Sequence, residues 1–177
     1  IILVFFAGVL WSTVGLGIRL IENAGVWQIL FYRSISLTLL LYFVIRLRGK
    51  SKRLLSKKLF NTPNIIGGLS LVAAYAGGIF AIQTTSVANA MLLFATAPFI
   101  AAVLGYLILG EQVRTTTWYA IIVAMGGIAY MFADQSTHFS LTGSFAALGS
   151  AIGFAIFSVA LRWGKNDEML PSVFLSG

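Results

Sequence analysis

The sequence predicts an all-α polytopic membrane protein, on three observations. Apolar residues make up 59% of the 177 and charged residues only 10%, against roughly 25% charged in ordinary globular chains. The apolar residues fall into runs of about 20, the length that crosses a hydrocarbon core. The cations cluster, with seven of the twelve (Arg46, Arg48, Lys50, Lys52, Arg53, Lys57 and Lys58) between two such runs.

Six runs are expected as helices, at residues 1–21, 26–45, 63–82, 86–109, 116–133 and 142–163, and a seventh begins at Leu170. The first carries Trp11-Ser12-Thr13 at depth and Arg19 near its far end, one turn from Glu22. The second holds Arg33 about seven residues, or roughly 10 Å of helix, inside its edge. An arginine at that depth is costly and faces protein or water, unless it snorkels outward along its own stem.

Asn61-Thr62 precede the third run, and Pro63 falls in its first turn, where a missing backbone donor costs nothing. Small residues recur at four-residue spacing: Gly8/Ser12, Ser70/Ala74/Gly78, Gly149/Gly153 and Ala147/Ala151/Ala155. Such stripes let membrane helices approach closely. The further glycines and alanines of the third run (Gly67, Gly68, Ala73, Ala76 and Gly77) leave open a surface that slides.

The fourth run contains Pro98, which removes one donor and frees the Phe94 carbonyl. That is tolerated where neighbouring helices or a watery cavity satisfy the freed group. A purely structural kink and a bent, cavity-lining helix both remain open. The run ends on Gly110-Glu111, with a carboxylate against the negative end of the helix dipole, so Glu111 needs a cation. Arg114 or the basic loop is expected to supply it, making Glu111 and Arg114 an inner-edge tether first and a coupling site second. Thr115-Thr116-Thr117 offer caps for the fifth run.

If the basic loop 46–61 is cytoplasmic, alternation places every other connection. The 134–141 connection, without Lys or Arg, then lies outside, and those carrying Arg114 and Lys165 lie inside. The expected location is the plasma (inner) membrane, multi-pass, with a cytoplasmic N-terminus. Laid over the start of the chain, Arg162, Asn166 and Phe174 fall on Arg19, Asn23 and Phe31. Five helices would precede the second copy, and an odd number makes that copy enter the membrane inverted. The chain is therefore read as a first repeat over 1–133 and the start of a second over 142–177, a part of something longer.

Composition also excludes. The net charge of +7 is concentrated in one loop between apolar runs, so nucleic acid is not an expected partner. No cysteine is present, and the one histidine, His138, makes no zinc site alone. No metal or cofactor is called for. The candidate cavity or gating residues are Trp11, Ser12, Arg33, Tyr75, Asn89, Thr96 and Pro98, which together have aromatic walls and a few hydrogen-bonding groups. Each hydroxyl alone is also satisfied by packing onto a carbonyl of its own helix. No Asp or Glu falls within a run, so no proton-relay carboxylate is visible.

Trp11-Ser12, the arginine of Phe31-Tyr32-Arg33, Thr96-Ala97-Pro98, Leu109-Gly110-Glu111 and Ala124-Met125-Gly126-Gly127-Ile128 together resemble the EamA-type domain of the drug/metabolite transporter superfamily. The resemblance covers 1–133 as a five-helix domain, plus the first helix of a second. Ser12 departs from it, since the family often has glycine after the tryptophan. The resemblance implies ten helices in two inverted repeats, with the first, third and fourth helices of this half lining a central cavity. It also implies alternating-access movement of small metabolites, often amino acids. The expected partners are a small-molecule substrate and the lipid bilayer, with a homodimer admitted. A polytopic membrane enzyme or a channel-like protein are the alternatives. The scatter of Glu111, Asp134, His138, Asp167 and Glu168 over both sides disfavours the enzyme.

Overall fold

The computed structural model describes residues 2–21, 24–47, 61–133 and 140–164, with Val173 and Ser176. The basic loop beyond Leu47, the 134–139 connection and most of the seventh run lie outside the described residues. Those described form α1 (Ile2–Leu20), α2 (Val26–Leu47), α3 (Thr62–Thr84), α4 (Val87–Phe94), α5 (Ala97–Leu109), α6 (Thr115–Ala133) and α7 (Leu141–Trp163). No strand occurs among them. Each predicted run appears as helix to within two residues, and the fourth appears as two helices, α4 and α5. Val26–Val44, Thr62–Thr84, Val87–Leu109 and Leu141–Trp163 are long and apolar enough to cross a membrane.

The helix starts follow from local chemistry. Asn61 stands at the cap of α3 in extended conformation, with Pro63 behind it, and its carbonyl accepts from Asn64 and Ile65 N–H. Its side chain makes no cap bond. Ser86 and Ser140 cap α4 and α7 through their hydroxyls, which accept from Asn89 N–H and Gly143 N–H, both at 3.2 Å. Gly110, in the left-handed region at φ 66°, turns the chain at the end of α5 so that Glu111 N–H reaches the Gly105 carbonyl at 3.3 Å.

The most extensive packing joins α3 to α7. The two run antiparallel: Gly164, after the end of α7, lies near Pro63, and Gly143, at its start, lies against Thr84 and Thr85. Their seam takes Ser70, Ala74, Gly77 and Thr84 from α3 and Gly143, Ala146, Ser150 and Gly153 from α7. That is the alternating three-and-four spacing of helices crossing at a shallow angle. A Cβ on Gly77 would stand 3.0 Å from the Ala146 carbonyl oxygen, and one on Gly153 would stand 2.8 Å from that of Ser70. Ser150 Oγ donates across the seam to the Ala74 carbonyl at 2.6 Å. The glycines of α3 that face α7 therefore serve close packing. Gly149 is off the seam, and nothing lies within 4 Å of a Cβ built on it.

The core is divided into two clusters along the length of the helices. One buried cluster gathers Ile18, Leu30, Ile79, Ala81, Ile82, Ala90, Leu93 and Ala147, with Tyr75 packed against it. The other gathers Ala101, Ala155 and Val159. Residues of α4 belong to the first and those of α5 to the second. Gly15 brings α1 against Val87 and Met91 at the start of α4. The last helix but one, α6, packs little on the others, and Trp118, Tyr119, Ile122, Val123 and Tyr130 stay exposed on it.

Candidate functional site

The fourth span is interrupted at Ala95-Thr96, one turn before the residue that lacks a donor. Ala95 N–H bonds the Met91 carbonyl at 3.0 Å, closing α4, and the Thr96 carbonyl accepts from Phe99 and Ile100 N–H, opening α5. The Thr96 hydroxyl donates to the Leu93 carbonyl at 2.6 Å. Proline at the second position of α5 has no donor to waste, so the break is stabilised from both sides.

Each half of the broken span is tied to α7 at its far end. On the α4 side, the buried Asn89 amide donates to Thr85 Oγ1 at 3.0 Å and to Ser144 Oγ at 2.9 Å. Ser144 Oγ in turn donates to the Ser140 carbonyl at 3.0 Å. On the α5 side, Arg162 Nη1 bonds Glu111 Oε2 at 2.6 Å and Nη2 donates to the Ala101 carbonyl at 3.1 Å. Gly105 makes room for this pair, since a Cβ there would stand 2.9 Å from Glu111 Oε2. Among the described residues the cation beside Glu111 is Arg162, and the basic loop lies outside them. Arg114 stays exposed in the same connection. α7 ends beside α5, and its last turn carries Arg162 to the carboxylate.

Across the bundle, a cationic contact joins α2 to α3 beside the apolar cluster that holds Leu30, Ile79 and Ile82. The Arg33 guanidinium carbon lies 3.3 Å from the centroid of the Tyr75 ring. Both residues are half-buried. At that separation the guanidinium is stacked flat on the ring face.

These spans match a known family. The EamA-like transporter family accounts for residues 1–133. The chain belongs to that family. It is similar to the pseudopaline exporter CntI of two Pseudomonas aeruginosa strains, 28% identical over 138 residues, which is 76% of this chain and 46% of each exporter. The chain thus spans about half the length of the curated relatives it matches. No solved structure matches it. Family and apolar helices together make it a multi-pass membrane protein.

Within this EamA-like chain the structure describes five of the seven candidate side chains. Arg33 and Tyr75 meet each other. Asn89 and Thr96 are buried with their donors engaged as above, and Pro98 sits at the break with its ring exposed. The side chains of Trp11 and Ser12 lie outside the described residues. Sequence reasoning missed Ser144 and Ser150 as cross-helix partners, and Arg162 as the partner of Glu111. The signal for Arg162 was present: it and Glu111 end helices predicted to finish on the same side.

Proposed function

We propose that the protein is a secondary transporter that exports small organic metabolites, amino acids among them, across the plasma membrane by alternating access. The observation that carries this reading is the fourth span. It is broken at mid-depth, its halves belong to two separate packed clusters, and each half has its own tie to α7. Such an element can bend at one point while its halves pack in different clusters, as a gate serving two sides requires. Export follows the curated relatives, which are named as exporters. Residues 1–133 form a first repeat, and α7 opens a second, inverted one. The helix directions support this, because α1 ends on the side where α7 begins. The basic loop and the N-terminus face the cytoplasm.

Pro98→Ala tests the gate. Alanine restores a backbone donor and favours one continuous helix, so efflux of labelled amino acids from preloaded cells should fall severalfold at unchanged membrane protein level. Wild-type efflux in that variant would leave the break without a role in transport. Absence of any solute movement by the wild-type protein would end the transporter reading itself.

A further inference from the structure

We propose that Arg33 and Tyr75 form the binding site for a carboxylate group of the solute. The inference rests on the transport reading above and names the chemistry the solute must carry.

The argument begins with the geometry of one contact. An arginine presents a π-face and, in the plane of its guanidinium, five N–H donors. At 3.3 Å from the Tyr75 centroid, the face is the part in use. A guanidinium pointing an N–H edge at the ring would hold its central carbon farther away. The donors therefore project sideways from the stack, and none makes a hydrogen bond or ion pair among the described residues. The Tyr75 ring is itself held by the cluster containing Ile79, Ile82 and Leu93, so the stack fixes the plane of the fork.

A fixed fork at this depth, without a hydrogen-bond or ion-pair partner among the described residues, calls for an anionic acceptor. Arg33 lies about seven residues, or roughly 10 Å, inside the start of α2, where an uncompensated charge is costly. Of the five acidic residues of the chain, Glu111 is the one among the described residues. Glu111 is engaged by Arg162. An acceptor supplied by the solute meets the demand and makes its binding depend on its charge. A carboxylate fits best: its two oxygens match the planar fork in a bidentate pair. One carboxylate also balances one cation, whereas a phosphate dianion would need a second. Arg19, Arg46 and Arg162 all stand in the last turn of their helices.

The test compares acids with their own amides on the purified full-length protein. Amino acids, their carboxamides (leucine with leucinamide, phenylalanine with phenylalaninamide, and so on) and inorganic phosphate are titrated while thermal stability in detergent is followed. At least one acid is expected to bind about tenfold to a hundredfold more tightly than its amide, the range of a charge-assisted hydrogen bond lost. Arg33→Gln should abolish that preference, Arg33→Lys should keep a weakened one, and Tyr75→Phe, which preserves the ring, should leave it intact. Equal binding of acid and amide throughout, phosphate binding as well as the best acid, or a preference that survives Arg33→Gln would overturn the site. The wild-type comparison needs no variant to fold. Solute movement that ignores the carboxylate would overturn the site and leave transport standing. Carboxylate-selective binding through Arg33 without any movement would do the reverse.

Discussion

Arg162 and Glu111 show how one missing methyl group places an ion pair. Both side chains are 42% exposed, and pairs this wet contribute about 1 kcal/mol or less. Their value lies in position: the pair rests on Gly105 and joins the end of the fourth span to the end of α7. Gly105→Ala would press its methyl on the carboxylate, and the flexible glutamate would move before the backbone does. Gly105→Ala and Glu111→Gln should therefore each lower the unfolding midpoint slightly. Combined, they should lower it by less than the sum of the two, because both remove the same contact. Additive losses in a thermal-unfolding cycle would mean that Gly105 serves backbone packing instead. The buried counterpart is Asn89. Asn89→Ala leaves Thr85 and Ser144 without its two donated bonds and should cost more than Glu111→Gln, about 1–3 kcal/mol, in the same assay.

At the level of helices, the seam between α3 and α7 distinguishes glycines that look alike in sequence. Gly149 and Gly153 are four apart and read as one stripe, yet only Gly153 touches α3. The seam runs through Gly143, Ala146, Ser150 and Gly153, so a strict four-residue spacing slips off it after one step. Gly153→Ala should destabilise the protein by about 1–3 kcal/mol, because backbone stands in the way on the facing helix. Gly149→Ala meets open space and should be neutral or slightly stabilising, since alanine is the better helix former. Equal midpoints for the two variants would contradict the seam. The same comparison shows what was legible beforehand. Helix limits could be read because apolar runs end where the helices do. Pro98 announced an interruption but not its place, which Thr96 decides by turning its hydroxyl onto Leu93. Partners across helices were not legible, because Asn89 and Ser144 lie 55 residues apart and nothing local links them. Of the candidate site, Arg33 stood out for its charge, but only the fold could bring Tyr75 beneath it.

For the molecule as a whole, the contacts sort the ends of α3 and α7, the start of α4, the end of α5 and the start of α2 to one of two sides. One side gathers Pro63 beside Gly164 and Glu111 beside Arg162. The other gathers Gln83 against the Ala24 carbonyl at 3.0 Å, Asn89 against Ser144, and Thr84 against Gly143. The basic stretch lies in sequence between α2 and α3, so the proposed topology puts it with Pro63 and Arg162. Translocating cationic connections is unfavourable, and that topology accordingly takes this side as the inner one. In the proposed topology the 134–139 connection, without Lys or Arg, is an outer one. The chain has no cysteine, so a single introduced thiol reports its own side without background. In intact cells an impermeant maleimide should label Ser136→Cys at once and Ser51→Cys only after permeabilisation. Labelling of Ser51→Cys from outside would invert the whole arrangement. It would place the Glu111–Arg162 tie at the outer face and the Asn89–Ser144 tie at the inner one, and would reverse the roles of the two ends of the broken span.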